Sequence, residues 1–455
     1  MARSREIIND MTVGSVPRKL MTFALPFMLS TLLQTAYGMV DMMVVGQVVG
    51  SSGLSAVSIS TKVIWMTTAL CMGFTNAGQI LIAQLVGAGK RENLQRTIGT
   101  LILTVGCVAL FVTAFGLSLT RPILRLLQTP PESYPGAVQY LTITFIGTVF
   151  TFGYNLVSAM FRGMGDSRHP LVFVAVAASV NLVLDLLAVA VFRMGVAGAA
   201  LATIAGQAVS LVISTVYLYR HRAQFGFDFR ADSFRFHKES LVKLVRLGVP
   251  FAFQNAAISI SMLFVNRFVN SYGVVASATF GTGTRIEEFP WIIINGIMVA
   301  SATMVGQNMG AGKQERMRRV VTVGAIICAV TAVFVMTVFL VFPRQIYSAF
   351  TSDADVLDLC PKFMLALACS IPATSMMGPY QSFIEGIGNA RLTLIIALLD
   401  GFVSRIAISL ILAYGFHLGL MGWFFGYGMA AYVNTAISMT YYYGGFWKKR
   451  TSLVE

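Results

Sequence analysis

Along this chain, apolar runs of about twenty residues or more are separated by short polar breaks, the length a helix needs to cross hydrocarbon about 30 Å thick. Twelve spans are expected, at 19–49, 54–86, 94–119, 136–162, 169–193, 196–219, 241–270, 274–308, 317–342, 357–385, 391–414 and 419–443. The short alternating segments of a membrane barrel are not seen, so the expected class is an all-α membrane protein. Spans 1, 2, 7 and 8 exceed the minimum, which predicts tilt, kinks or projection beyond the bilayer. Pro26, Pro250, Pro290, Pro372 and Pro379 fall inside spans and mark natural kink sites.

The polar breaks repeat. Gly87-Ala88-Gly89-Lys90-Arg91-Glu92 returns as Gly310-Ala311-Gly312-Lys313-Gln314-Glu315, 223 residues on. Arg162-Gly163-Met164-Gly165-Asp166 returns as Glu385-Gly386-Ile387-Gly388-Asn389 at the same offset, while Pro26 with Pro250 and Gly198 with Gly422 match at 224. Each half holds six spans, an even number, so both enter the membrane in one direction and are related by an axis along its normal. The expected organisation is an N-lobe at 1–219, a linker at 220–240, a C-lobe at 241–446 and a tail at 447–455. The Gly-Ala-Gly-Lys turns lack the spacing and preceding strand of a phosphate loop, and read as helix C-caps.

Composition agrees with lipid as the solvent. Residues are 56% hydrophobic and 11% charged, against about a quarter charged in soluble domains. The net charge of +14 invites a nucleic-acid reading, but the layout of the 33 Lys and Arg argues for topology instead. Twenty-four lie in the N-terminal tail (Arg3, Arg5, Arg18, Lys19), at 90–96, 162–168, 220–246 and 313–319, at Arg391 and at 448–450. Only five (Arg121, Arg125, Arg193, Arg344, Lys362) fall on the other side. By the positive-inside rule both termini are cytoplasmic, in the cell membrane. The polar N-terminal residues are not expected to form a cleavable signal peptide. The five cysteines sit mostly in apolar runs, and the four histidines fall at or beyond span ends, so neither type suggests a disulfide framework or a metal site.

Candidate chemistry rests on ionisable residues at membrane depth, where burial costs several kcal/mol. Asp41 lies one helical turn beyond Tyr37, and Asp185 one turn beyond Asn181, so each pair shares a face. Thr203 in span 6 and Asn155 in span 4 add neutral oxygens. Carboxylate, amide and hydroxyl oxygens suit a hard cation such as sodium, and two neighbouring carboxylates without one would hold a proton between them. The bland alternative is a hydrogen-bond network tying spans 1, 5 and 6 together. In the second half Val265 stands opposite Asp41 and Ile408 opposite Asp185. That half offers Arg285, Glu287 and Glu288 instead, one glutamate to neutralise Arg285 and the other to meet a cationic substrate, and Asp400 with Arg405 as a structural pair.

Taken together, the duplication, the paired Gly-Ala-Gly-Lys turns, the Arg-Gly-Met-Gly-Asp and Glu-Gly-Ile-Gly-Asn turns and the Tyr37, Asp41, Asn155, Asn181, Asp185, Thr203 set resemble the multidrug and toxic compound extrusion (MATE) family. The set is closest to its DNA-damage-inducible-protein-F-like and Gram-positive multidrug exporter branch. The resemblance implies a V-shaped, two-lobed, twelve-helix transporter that exports amphipathic, cationic organic compounds in exchange for H+ or Na+, with no cofactor, acting as a monomer. Where the sodium-driven norfloxacin branch carries an acid in span 7, this chain has only Gln254, Asn255 and Asn266, which leaves lobe one as the expected coupling site. A flippase of lipid-linked oligosaccharide or cell-wall precursor is the alternative, with fourteen spans and a more basic cavity as its marks. No His, Cys or carboxylate constellation suggests an enzyme.

Overall fold

The polar breaks become turns because the chain there supplies left-handed glycines and charge, while the apolar runs between them satisfy their backbone groups as helices, which lipid demands. A computed structural model describes residues 8–454; Arg3 and Arg5 of the basic N-terminal tail lie outside them. Twelve helical spans follow one another, with no strand among the described residues. They are α1 (Val16–Val48), α2 (Ser51–Ala88), α3 (Arg91–Leu126), α4 (Tyr134–Ile146 with Thr148–Gly163), α5 (Arg168–Val191) and α6 (Gly195–Arg220). The second half gives α7 (Lys238–Asn270), α8 (Val274–Gly310), α9 (Gln314–Val341), α10 (Ala354–Gly386), α11 (Ala390–Gly415) and α12 (Leu420–Tyr443). Ten are long and apolar enough to cross a membrane, and α4 makes eleven when its two arms, bent by 50° at Gly147, count as one. Helix α12 has the length, 24 residues, but glycines, tyrosines and Asn434 dilute its hydropathy.

The duplication is visible in the backbone. Gly89 ends α2 at φ 67°, its N–H bonding to Leu85 and Val86 carbonyls, and Gly312 takes φ 70° just beyond α8. Both positions therefore need a residue without Cβ, as the C-cap reading requires. Gly165 and Gly388 form a second matched pair, at φ 85° and 73°.

Two compact units divide the chain: Leu25–Ala252 with the residues up to Asp10, and Met11–Ala24 with Phe253 onward. In the first, the stretch between α6 and α7 lies across the base of α3. Gln95 Nε2 donates to Ser233 Oγ (2.8 Å), Thr100 Oγ1 to the Arg235 carbonyl (3.2 Å), and His237 N to Thr100 Oγ1 (3.1 Å). In the second, the segment leading into α1 does the same on α9. Arg316 there donates to the carbonyls of Met11 (3.1 Å), Val13 (2.9 Å) and Gly14 (2.7 Å), and Lys313 to Thr12. Met11 itself is fully buried, its N–H on Gln307 Oε1 at 2.8 Å. Aromatic packing closes the other end of this unit, where Phe268 stacks on Trp423 at 4.5 Å and Tyr347 donates to the Thr279 carbonyl at 2.8 Å.

Candidate cation site

In the first unit, α5 and α6 approach closely because small residues line their seam. A Cβ on Gly206 would meet the Ala177 carbonyl oxygen at 2.8 Å, and one on Gly198 would meet Ala188 at 3.1 Å. Small residues at such seams are how helices associate where the surrounding lipid is as apolar as the side chains. The seam sets Asn181 beside Thr203, whose Oγ1 accepts from Asn181 Nδ2 at 3.4 Å and donates to the Ala199 carbonyl at 3.0 Å. One turn later comes Asp185, and immediately after it the helix widens into a π turn over Leu186–Val191. Such turns are rare and are found most often at functional sites.

Asp41 on α1 and Asp185 on α5 are both buried and close enough for their charges to interact. Without a proton between them neither carboxylate is a donor, so neither can satisfy the other. Asp41 Oδ1, both Asp185 oxygens, Asn181 Oδ1 and Gln207 Oε1 are all buried and find no hydrogen-bond partner. Unsatisfied buried oxygens cost free energy, and carboxylate and amide oxygens are the types that could hold a hard cation. Tyr37 adjoins Asp41 and Gln207, and Tyr140 adjoins Thr203. Asn155 is placed differently: its Nδ2 is turned back onto the Thr151 carbonyl of its own helix at 2.9 Å.

The second unit holds a different arrangement. Arg285 and Glu288, both exposed, pair at 3.0 Å. Glu287 turns away from them and accepts from Tyr427 Oη at 2.8 Å. The Arg405 guanidinium lies over the Tyr427 ring, 5.3 Å from its centroid, with Nη2 3.6 Å from Asp400 Oδ1. Asp400 and Arg405 are both buried, and they belong to a four-residue chain running from Asp400 through Arg405 and Tyr427 to Glu287.

The family model MatE matches the sequence twice, over residues 26–187 and 250–411, once in each half. The chain belongs to the MATE family. It is therefore a multi-pass membrane transporter with two six-helix lobes, and not an enzyme. Its relatives include the probable multidrug resistance protein YpnP of Bacillus subtilis, 28% identical over 98% of this chain and 99% of that one. A second Bacillus subtilis protein, the probable multidrug resistance protein YoeA, is 26% identical over 97% of this chain and 96% of its own length. In fold it is similar to a MOP superfamily transporter from Pyrococcus furiosus, with a TM-score of 0.90 at 20% identity, covering 97% of this chain and 98% of the other.

For a MATE protein read by its repeat, one expectation needs correction. The offset of 223 seen at the turns after α2 and α4 becomes 224 beyond α11, because α11 carries an extra π turn, Leu399–Ser404, that has no equivalent in α5. A π turn accommodates one inserted residue. Its second π turn, Ile411–Gly415, matches the one after Asp185, and Gly422 presses on Leu412 and Ala413 as Gly198 presses on Ala188. The residue opposite Asp185 is thus Ser409 rather than Ile408. Sequence reading also missed Gln207, Tyr140 and Tyr427. Gln207 lies one turn beyond Thr203 and was open to the same one-face argument; Tyr427 is visible only once the shifted register sets it opposite Thr203.

Proposed function

We propose that this protein is an antiporter in the cell membrane, exporting amphipathic, cationic organic compounds in exchange for H+ or Na+ taken up at lobe one, as a monomer with both termini cytoplasmic. The observation that carries the reading is the set of unsatisfied buried oxygens on Asp41, Asn181, Asp185 and Gln207. Two carboxylates held this way exist at tolerable cost only with a proton or a metal cation among them, so the site has bound and released states of very different energy. Asn181 and Thr203 supply neutral oxygens beside the carboxylates, and Tyr37 a phenol. An ion binding there favours the conformation in which these groups converge, and coupling follows if cargo favours the other. The bacterial relatives, named as probable multidrug resistance proteins, support the cargo class. Glu287 and Glu288 are the acidic groups of lobe two to which a cationic cargo would be drawn, with Arg285 limiting the net charge.

The test is efflux of a panel of cationic dyes from proteoliposomes under separately imposed pH and sodium gradients. Asp41→Asn with Asp185→Asn should abolish the response to both gradients. Export at the wild-type rate by that double variant would refute the mechanism. The gradient that drives the wild type names the ion.

A further inference from the structure

In the corrected register, each member of the lobe-one site has a defined counterpart in lobe two. Val265 stands for Asp41, Arg405 for Asn181, Ser409 for Asp185 and Tyr427 for Thr203. Contacts follow the same correspondence: Asn181 touches Thr203 across α5 and α6, and Arg405 touches Tyr427 across α11 and α12. Both carboxylates have gone from their lobe-one positions, and two others, at different positions, lie around Arg405 and Tyr427 instead. Asp400 arrives on the inserted π turn, and Glu287 reaches Tyr427 from α8. Between these acids sits the guanidinium, buried, with Nε and Asp400 Oδ1 lacking any hydrogen bond.

We infer that Arg405 is a tethered cation, occupying in lobe two the place that a diffusible ion takes in lobe one. Its fit is that of an ion in a cage: charge over a ring face at an ordinary 5.3 Å and 3.6 Å from a single carboxylate oxygen, where a bridge built for a guanidinium would show two short parallel bonds. Because the cation is part of the chain, lobe two stays in its ion-loaded form through the cycle and only lobe one exchanges. Arg405 is a positioning residue, fixing lobe two as the static partner. This inference rests on the reading of lobe one as the coupling site.

The experiment uses the purified full chain carrying Asp41→Asn and Asp185→Asn, so that lobe one contributes no ion response, and reads melting temperature. Adding Arg405→Asn, the residue lobe one has there, should lower it. Millimolar guanidinium and sodium should each restore the loss saturably, while N-methylglucamine at equal ionic strength should not. The parent without the Arg405 change should respond to none of them. Sodium matters because a place inherited from an ion site accepts it, whereas a purely structural bridge needs the guanidinium plane. An Arg405→Asn protein as stable as its parent, or one restored by guanidinium alone or by nothing, overturns the inference. Should Arg405→Asn yield no folded protein, Arg405→Lys decides: a retained melting temperature supports a tethered charge, and a collapse overturns it. Efflux by the Asp41, Asp185 double variant is measured separately, so failure of the coupling reading is distinguishable from failure here.

Discussion

Coupling in lobe one should depend on how closely α5 and α6 approach, and Gly206→Ala tests this with one methyl group. The added Cβ would stand 2.8 Å from the Ala177 carbonyl oxygen, a backbone atom that cannot rotate away, and 3.3 Å from Asn181 Cβ. Ordinary contact begins near 3.4 Å, so the helices must part by about 0.6 Å at this point. The Asn181–Thr203 hydrogen bond is already 3.4 Å long and does not survive that displacement. Overpacking of this kind costs about 1–3 kcal/mol, offset in part by the better helix propensity of alanine. Displacing two ligand-bearing side chains should weaken ion binding by about tenfold, equivalent to about 1.4 kcal/mol. The assay is the ion concentration giving half-maximal dye efflux in proteoliposomes, with melting temperature measured alongside. Gly106→Ala is the control, since a Cβ there meets nothing within 4 Å. If Gly206→Ala keeps the wild-type half-saturation while the control behaves as expected, the α5–α6 seam does not set the site and the geometric argument fails.

Three further outcomes are expected. Arg316→Ala removes three charge-assisted bonds to the segment before α1; with the solvent exposure of the site the loss should be about 2–3 kcal/mol, seen as faster proteolysis between Met11 and Gly14. The Ser233 hydroxyl, with the Arg230 N–H, holds the Asp228 carboxyl below the usual carboxylate range. A depressed acid stabilises the fold above its unfolded value and loses that contribution as pH falls through the folded one, so the linker on α3 should loosen below about pH 4, and Asp228→Asn should remove that pH step in amide exchange. Tyr347→Phe leaves the buried Thr279 carbonyl without the donor it has at 2.8 Å, and melting temperature should fall by an amount corresponding to about 1 kcal/mol; no change would mean the carbonyl finds another partner.

Much of the fold is legible in the sequence. Span positions follow from hydropathy because the bilayer leaves the backbone no alternative, and the Gly-Ala-Gly-Lys turns betrayed the duplication because a left-handed C-cap tolerates little but glycine. Asp41 and Asp185 stood out since an acid in an apolar run is too costly to be incidental. Three things were hidden for physical reasons. Asn155 has the right chemistry, but an amide can satisfy itself on its own helix, and periodicity does not show which way it turns. Span 12 was expected at 419–443 and is the helix Leu420–Tyr443; what hydropathy hid was why its tyrosines and glycines dilute it, namely helix packing, with Gly426 and Gly428 pressed against Ser409 and Ser370. The division of the chain into two units also ignores helix boundaries: Met11–Ala24 leaves α1 for the second unit because Arg316, Lys313 and Gln307 hold its approach, contacts some 300 residues apart in sequence.

The inserted π turn in α11 carries the deeper lesson about divergence after duplication. A single added residue would rotate everything downstream by about 100° if the helix stayed regular, exposing the wrong face to α12. Absorbed as a π turn, the same insertion leaves both flanking faces in register: Thr393, Ile396 and Ala397 before it are buried like Pro170, Phe173 and Val174, and Arg405 and Ser409 after it like Asn181 and Asp185. What changes is local: Asp400 is introduced at a depth where α5 has none, and Gly401 on the same turn lies close enough to Ala257 that a Cβ would meet its backbone at 2.8 Å. An acid cannot persist there alone, and Arg405, one turn beyond the insertion, is the group that meets it. Acid and base therefore form a dependent pair, and Asp400→Asn alone should be more damaging than Asp400→Asn combined with Arg405→Asn. A double-variant stability loss equal to the sum of the Asp400→Asn and Arg405→Asn losses would mean that the two charges are not coupled, and that lobe two diverged for reasons unrelated to its insertion.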